Sequence, residues 1–579
     1  MFFRDRDDFL CPAAANPAQP QDREAERWDR GITMNGHRVP ATGRMFRAGI
    51  SCFYLLPVTA AALDSPPRDR WRTIRRPHYN PVSPIARHRV AGIRAATTMG
   101  VTVMDLAFES ATRLAEKVRS GQTTARDLLD HCITRVESLD GPINAVVVRD
   151  FERARARAAE LDSQADRSAP LFGVPMTVKE SFDVAGLPTT RGHLEARDHR
   201  AGTSSLAIRR LEAAGAVIFG KTNVPVDLAD WQSYNPVYGS TSNPWNLAHT
   251  PGGSSGGSAA SMAAGFAGLE IGTDIGGSVR VPAHYCGVFG HKPTWGLCPS
   301  YGDPATAPAA MTDISVLGPI ARSAADLALA LDVLAGPDPG ETGLTLKLPP
   351  PRTFSLKKLR IAVWSHEPGQ ATDAELTEKL EELASFLERE GATVSRTARP
   401  AFAAADAFHL YLRLLDAAWS GRLTEEVLAA RRDGAALRGP HDLTADAIML
   451  RCVDMTHRAW LGLREQRAKY RRAWSAFFQE WDVLLCPPIA TAALPHMQQG
   501  ATSERSITIE GRAIAYNDML FWPGLTCGFH LPASVAPLGL TREGLPIGVQ
   551  IAGPIYGDRT TIAVAKILER AWRAFTPPR

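Results

Sequence analysis

The sequence predicts an α/β protein in which strands and helices alternate in layers. Short apolar runs typical of buried strands occur at 143–148, 171–179 and 216–219, with helical segments between them. The composition, 45% hydrophobic and 22% charged, is ordinary for a globular protein with a large core. No internal repeat is evident.

Residues 1–98 differ in composition from the rest of the chain. They contain 16 arginines, no lysine and nine acidic residues, whereas the whole chain has a net charge of only +4. Their prolines follow no helical or strand period, which predicts disorder. Alternatively, the segment lies upstream of a true start at Met99 or Met104. A signal peptide beginning at Met45 is a third interpretation.

Charge and cysteine usage exclude several classes of protein. A net charge of +4 is too small to indicate a nucleic-acid partner. The apolar stretch at 48–63 is shorter than the ~20 residues of a membrane span, so no membrane anchor is expected. The eight cysteines form no C-x-x-C pair and no metal-like spacing with histidine. Reduced thiols in a cytoplasmic protein are therefore expected, rather than disulfides or a metal site.

The regular part of the chain begins at about residue 105 with helices. The first helix ends at Gly121, and a capping box at 124–127 opens a second that runs to about Val136. An Arg/Ala-rich helix ending near Leu161 follows the first strand. These elements are predicted to lead into the strand at 171–179.

Two glycine–serine clusters dominate residues 250–294. The first cluster ends at Gly257, the second is Gly276-Gly277-Ser278, and the small or apolar segment 258–266 between them predicts a buried helix. Because Ser278 follows two glycines, its hydroxyl can lie among free backbone N–H groups, as a nucleophile beside an oxyanion hole requires. The structural alternative is a glycine-rich connection without chemistry.

The segment 252–256 (GGSSG) also matches the G-x-S-x-G pattern of a hydrolase nucleophile elbow. Such an elbow needs an apolar strand leading into it. The preceding segment 243–251 contains two prolines and two asparagines, which predict a loop. The elbow interpretation is therefore disfavoured.

The segments 251–258 (PGGSSGGS) and 272–280 (GTDIGGSVR) together resemble the signature of the amidase signature family. The resemblance covers roughly residues 105–575 and is sharpest between Gly173 and Thr294. Further segments are similar to family landmarks: 292–294, 318–323, 531–535 and 544–551.

This resemblance implies an amidase signature fold, with a large mixed β-sheet covered by helices on both faces. It also implies one large amidase domain, 99–579, whose signature core spans about 170–335. The region at about 402–480, mostly helical and rich in aromatic residues, is the variable part that shapes the substrate pocket in the family.

The resemblance also implies a Ser–Ser–Lys catalytic triad. Ser278 is expected to be the nucleophile, and Ser254, which the family holds after a cis peptide, is expected to relay its proton to Lys179. Lys179 fills the lysine position of the family's G-V-P-x-x-V-K segment at 173–179. A lysine base must be neutral to accept a proton, and burial favours the neutral form.

The remaining site residues also follow from the resemblance. The backbone N–H groups of Ile275, Gly276, Gly277 and Ser278 are expected to bind the oxyanion, with no cofactor and no metal. Three residues are expected to support the loop rather than take part in chemistry: Asp274, Arg280 and Ser255.

Other bases remain open on the residues alone. A lysine at the end of an apolar strand is commonly a surface residue with a buried stem, which would exclude Lys179. Lys221, at the end of the strand at 216–219, is a rival lysine. His249, His284 and His291 lie near the serines in sequence, in predicted loops with no acidic partner apparent.

The segment 228–234 (LADWQSY) is apolar, aromatic and amide-bearing. Leu228 and Trp231 are therefore assigned to the wall of the acyl-binding pocket, with a plain core role for Trp231 as the alternative. This wall predicts a small-molecule amide substrate with an apolar or aromatic group.

The C-terminal half continues the alternation of elements. Ser323 caps a helix through Leu334, and the Pro/Gly-rich segment 338–356 is a surface connection. The later elements are predicted as a strand at 359–364, a helix at 375–390, a strand from Val394 and a strand at 482–486.

The function expected from these features is hydrolysis of a carboxylic amide through a serine acyl-enzyme, by a monomer or homodimer. One alternative is that the chain is the amide-hydrolysing A component of a glutamine-dependent tRNA amidotransferase, which would use the same triad but pass ammonia to a second protein. Another is a non-catalytic binding protein on the same scaffold.

Overall fold

The computed structural model of the chain describes residues 106–302, 310–353, 355–421 and 423–579. The predictions for residues 1–98, and for a start at Met99 or Met104, lie outside these ranges.

The described residues form the alternating strands and helices that the apolar pattern predicts. The strands are β1 Val146–Arg149, β2 Pro175–Lys179, β3 Val217–Thr222, β4 Tyr234–Asn235, β5 Gly239–Ser240, β6 Glu270–Asp274, β7 Phe289–Lys292, β8 Val316–Ala321, β9 Arg360–Val363, β10 Thr393–Ser395, β11 Val483–Cys486, β12 Ser506–Ile509, β13 Arg512–Ala515, β14 Ala533–Leu540 and β15 Pro546–Ala552. The helices are α1 Ala111–Arg119, α2 Ala125–Ile143, α3 Phe151–Ser163, α4 Leu206–Ala213, α5 Gly256–Ala263, α6 Arg280–Cys286, α7 Ala324–Leu334, α8 Ala374–Arg389, α9 Ala404–Ser420, α10 Glu425–Ala436, α11 Ala445–Leu450, α12 His457–Glu480, α13 Phe521–Cys527 and α14 Asp558–Ala571.

A mixed eight-stranded sheet forms the centre of the fold, in the order β10-β9-β11-β15-β14-β7-β8-β6. Strands β10, β9 and β11 are parallel to one another, and the remaining neighbours pair antiparallel. A three-stranded sheet, β1-β3-β2, lies beyond the β6 edge. A parallel bridge from Met176 to Leu269 joins β2 to the residue before β6.

Helices cover both faces of the large sheet, as the family resemblance implies. Successive side chains of a strand point to opposite faces, and along β9 and β11 they enter two different hydrophobic clusters. Ile361, Val363, Val483 and Leu485 belong to the first cluster, and Ala362, Trp364, Leu484 and Cys486 belong to the second. The first is covered by α1–α5, α7, α8 and α14, and the second by α9 and α11–α13. The predicted α/β architecture is confirmed.

One predicted boundary in the N-terminal part is wrong. The helix capped by Thr124 does not stop near Val136 but continues to Ile143, and β1 starts at Val146 rather than at residue 143. Asn144 ends the helix in the left-handed conformation, φ 57°. The Asp140 carboxylate then accepts hydrogen bonds from the N–H groups of Ala145 and Val146. The apolar run at 143–148 therefore contains a helix end as well as a strand.

Most later boundaries agree with prediction to within two residues. Ser323 caps the helix Ala324–Leu334 through a hydrogen bond from the Asp326 N–H, and the region 402–480 is mostly helical. The helix predicted at 258–266 begins earlier, at Gly256, and ends at Ala263. It is fully buried, as its small side chains predict.

Within the described residues, six cysteines are free thiols, and all six are buried. No helix in the described part of the chain is both long enough and apolar enough to cross a membrane.

Candidate active site

Strands β2 and β6 bring a lysine and a threonine side by side at the edge of the large sheet. The parallel bridge between Met176 and Leu269 sets their register, so that Lys179 at the end of β2 lies beside Gly272 and Thr273 in β6. The Lys179 Nζ atom lies 2.7 Å from Thr273 Oγ1. It also lies 2.7 Å from Ser254 Oγ.

Lys179 is not a surface residue, because its side chain has no exposure to solvent. Burial lowers the pKa of Lys179 to about 7, since the charged ammonium loses its hydration. The carboxyl groups of Asp274 and Glu270 oppose this shift, and the Arg191 guanidinium adds to it. A substantial fraction of Lys179 is therefore neutral at neutral pH.

Glu270, at the start of β6, is fully buried close to Lys179. Burial raises the pKa of Glu270 to about 8, although its carboxyl group accepts hydrogen bonds from Thr222 Oγ1 and from the N–H of Ile271, both at 2.8 Å. A carboxyl group that is protonated at neutral pH carries no charge. Only an ionised Glu270 raises the pKa of Lys179, and burial favours the protonated form of Glu270.

The first glycine–serine cluster forms the loop before α5. The peptide bond between Gly253 and Ser254 is cis, as the family resemblance implies. Ser255 joins this loop to the second cluster, because its N–H donates to the Ser278 carbonyl at 3.2 Å and its hydroxyl lies 3.4 Å from the Thr273 carbonyl oxygen. Ser254 is only 1% exposed.

The second cluster is held by a buried ion pair between Asp274 and Arg280. The Asp274 carboxylate accepts from two nitrogens of the Arg280 guanidinium, at 2.8 and 2.9 Å, and from the N–H groups of Gly277 and Val279. Burial alone would raise the pKa of Asp274, but the Arg280 charge outweighs it and holds the pKa well below its usual range. An ion pair that is buried and fully hydrogen-bonded fixes the loop, because breaking it would leave an uncompensated charge.

Ser278 lies within this loop and is 6% exposed. Within the described ranges, its hydroxyl has no hydrogen-bond partner, and neither do the N–H groups of Ile275, Gly276 and Ser278. The N–H of Gly277 is already donated to Asp274 Oδ1 at 2.9 Å. Three of the four expected oxyanion donors are therefore available in this geometry.

The rival lysine, Lys221, contacts a different part of the chain. Its Nζ donates to the Pro188 carbonyl and to Thr189 Oγ1, the latter at 3.0 Å. Burial lowers the pKa of Lys221 to about 8, so a reduced pKa does not distinguish the two lysines. Their contacts do distinguish them, because Lys179 contacts Ser254 whereas Lys221 contacts Pro188 and Thr189.

Two of the three histidines are not in loops, contrary to the prediction. His284 lies in α6, where its ring nitrogens bind the Thr491 carbonyl and the Gly548 N–H. Burial lowers its pKa to about 4. His291 lies in β7 and does have an acidic partner, Asp558, at 3.2 Å. That pair was missed because Asp558 is far away in sequence.

Trp231 has the core position that is the alternative to its assignment to the pocket wall, and the wall assignment stays a prediction. It is 7% exposed within the second hydrophobic cluster, and its indole Nε1 donates to the Gly276 carbonyl at 2.9 Å. Leu228 is half-buried and adopts the left-handed conformation, φ 62°. Trp231 therefore contacts the loop that carries Ser278.

Two contacts near Ser278 were not predicted from the sequence. Thr273 forms the second hydrogen bond of Lys179, and the Tyr411 hydroxyl donates to the Ile275 carbonyl at 3.1 Å. Thr273 directly precedes Asp274 in β6, so the two side chains point to opposite faces and the strand pattern gives no signal for Thr273. Tyr411 lies in the aromatic-rich region 402–480, where no pattern singles it out. In the described ranges, no group of three or more His, Cys, Asp or Glu side chains is arranged to hold a metal ion.

Comparison with known proteins gives one family. The profile of the Amidase family matches residues 127–562. An acylamidase of Rhodococcus erythropolis is 33% identical over 496 residues, which cover 82% of this chain and 98% of that protein. The A component of the glutamyl-tRNA(Gln) amidotransferase of Synechococcus sp. (strain CC9605) is 31% identical over 491 residues, covering 79% and 96%.

The fold is also similar to that of solved enzymes. A bacterial aryl acylamidase described as belonging to the amidase signature enzymes superposes with a TM-score of 0.67 at 27% identity. The match covers 81% of this chain and 97% of that one.

Proposed function

The chain belongs to the amidase signature family and is an amidohydrolase acting on amide carbon–nitrogen bonds, and from this premise we propose that it forms an acyl-enzyme on Ser278. The observation that carries the proposal is the 2.7 Å contact between Ser254 Oγ and the fully buried Lys179 Nζ. Ser255, the residue after Ser254, hydrogen-bonds the backbone of Ser278 and so ties the two serine loops together.

In the proposed first step, the Ser278 Oγ atom attacks the amide carbon. Its proton passes to Ser254, and the proton of Ser254 passes to the lone pair of neutral Lys179. While neutral, Lys179 donates one N–H to Thr273 and accepts from the Ser254 hydroxyl. The oxyanion receives hydrogen bonds from the N–H groups of Ile275, Gly276 and Ser278, which stabilise it without reorganisation.

In the second step, the proton returns by the same route to the leaving nitrogen. The carbon–nitrogen bond breaks, ammonia or an amine leaves, and an ester of Ser278 remains. Water then attacks this ester and loses its proton through Ser254 to Lys179. Ser278 regains its proton from Ser254, and the carboxylic acid product is released and loses its remaining proton to water, giving the carboxylate.

The proposed substrate is a small amide with an apolar or aromatic group. The support is the chain's similarity to an acylamidase and to a bacterial aryl acylamidase.

A second candidate is the A component of a tRNA amidotransferase, because relatives of that name match nearly their whole length at 31–33% identity. A single assay separates the candidates. The purified chain is given an aryl anilide, an aliphatic primary amide and glutamine, and the released amine or ammonia is measured. We expect turnover of the anilide or the aliphatic amide to exceed that of glutamine. Hydrolysis of glutamine alone would favour the second candidate, and no turnover of any of the three would contradict the first.

The pH dependence of kcat/KM should follow the ionisation of Lys179. Below about pH 7 the lysine is protonated and cannot act as a base, so we expect kcat/KM to fall tenfold per pH unit as pH decreases. Above that pH it should level off. The measurement uses a neutral amide, so that only groups of the enzyme titrate.

Replacing Arg191 tests whether the acidic limb of the pH profile, where kcat/KM falls, reports the ionisation of Lys179. The Arg191 charge lowers the lysine pKa, so Arg191→Gln should move the limb to higher pH. The matched control is Arg197→Gln in the same loop, whose side chain is 65% exposed, and it should leave the limb in place. A limb near pH 4 would indicate His284 instead, and a limb lost in His291→Gln would transfer the base role to His291.

A further inference from the structure

The loop that carries Ser278 is held by two aromatic side chains in addition to Asp274. The Tyr411 hydroxyl donates to the carbonyl of Ile275 at 3.1 Å, and the Trp231 indole donates to the carbonyl of Gly276 at 2.9 Å. Neither residue belongs to the segment 250–294 in which the two serines lie.

These contacts control the direction of N–H groups as well as of carbonyls. A trans peptide unit is planar, with its C=O and N–H pointing in opposite directions. Holding the Ile275 carbonyl therefore fixes the direction of the Gly276 N–H, and holding the Gly276 carbonyl fixes that of the Gly277 N–H. Two successive glycines have little conformational preference of their own, so the direction must be imposed by partners.

The Tyr411 hydroxyl is itself rigidly placed. The ring has no solvent exposure and lies against Gly528, where a Cβ would be 3.0 Å from the Tyr411 Cβ. The ring also lies so close to Gly524 that a side chain there would collide with it. Burial raises the pKa of Tyr411 well above its usual value, so the hydroxyl keeps its proton and remains a donor.

Trp231 is also held in place by neighbouring side chains. Its ring lies 5.4 Å from that of Tyr516, whose hydroxyl donates to Asp230 at 2.8 Å. Asp230 in turn pairs with Arg505 at 2.6 Å. These contacts hold the indole in place, and its N–H donates to the Gly276 carbonyl.

We propose that Tyr411 is a positioning residue that aims the Gly276 N–H at the oxyanion, while Trp231 holds the peptide whose N–H, that of Gly277, donates to Asp274. Tyr411 lies on α9, within the region 402–480, and directly contacts the loop that carries Ser278. The inference rests on the proposed function. It goes beyond the proposed function because it predicts that the region 402–480 affects the rate of the reaction as well as the binding of the substrate.

The test is Tyr411→Phe, which removes one oxygen and keeps the buried ring. We expect kcat to fall by about 10-fold, less than the 10²–10³ lost when an oxyanion donor is removed outright. KM should change less than twofold. Affinity for an aryl trifluoromethyl ketone, which forms a tetrahedral oxyanion with the serine, should fall in parallel with kcat/KM.

The matched control is Tyr470→Phe, since Tyr470 lies on α12 and packs its ring 4.9 Å from Phe402. This variant should keep both kcat and ketone affinity. If Tyr411→Phe lowers only the melting temperature, with kcat and ketone affinity unchanged well below it, Tyr411 is structural and the inference is overturned.

Failure of the proposed function has a different signature. In that case the unaltered chain would hydrolyse none of the amides and would not be labelled by a fluorophosphonate at Ser278. The effect of Tyr411→Phe is measured as the ratio of its kcat to the kcat of the unaltered chain, which must itself be active.

Discussion

Ser278→Ala is expected to abolish amide turnover, with a loss of about 10⁶-fold, as found when a hydrolase nucleophile is removed. The hydroxyl has no hydrogen-bond partner within the described ranges, so its removal should leave stability unchanged. The variant keeps its backbone donors but cannot form an ester. Initial rates with an amide substrate measure the effect, and the melting temperature measures the fold.

Covalent labelling gives an independent readout of the same prediction. A fluorophosphonate should add one adduct to the parent chain at Ser278 and none to Ser278→Ala. Ser261→Ala is the matched control, because that buried serine contacts Thr177 rather than the proposed site, and it should keep labelling and turnover. An adduct on a different serine, together with activity in Ser278→Ala, would refute the assignment.

Lys179→Met is expected to lower kcat by about 10²–10⁴-fold at neutral pH, the usual contribution of a general base. Methionine keeps most of the side-chain volume, so the main loss is the amine that contacts Ser254 and Thr273. The pH limb assigned to Lys179 should disappear as well, which separates loss of a base from loss of packing.

Lys221→Met is the matched control for this second prediction. Both lysines are fully buried on neighbouring strands, and both lose two hydrogen bonds on substitution. Lys221 contacts Pro188 and Thr189, so its replacement should affect stability but leave the chemical step intact. If Lys221→Met retained its fold and lost more activity than Lys179→Met, the base would be misassigned.

Local patterns in the sequence predicted the fold class and the glycine–serine loops well. The small side chains of Gly256–Ala263 predict a closely packed helix, and that helix is fully buried. The apolar run before Lys179 predicts that this lysine lies at the end of a strand, and it does. The helix boundary near Ile143 was missed because β-branched apolar residues suit both a strand and a buried helix end.

Contacts between distant parts of the chain could not be predicted in this way. The hydrogen bond of Tyr411 to Ile275 and the pair of His291 with Asp558 join residues more than a hundred positions apart. Neither pattern nor propensity encodes such a pairing. It depends on how α9 and α14 pack on the sheet, which is a property of the whole fold.

The complete burial of Lys179 has a consequence for where protons go during turnover. Among the described residues, its Nζ contacts only the hydroxyls of Ser254 and Thr273, so bulk water has no direct access to it. In the proposed mechanism, a proton taken from Ser278 is therefore retained inside the protein until the leaving nitrogen accepts it. Under that mechanism the amine product carries the hydrogen that began on Ser278, and formation of the acyl-enzyme requires no proton exchange with buffer.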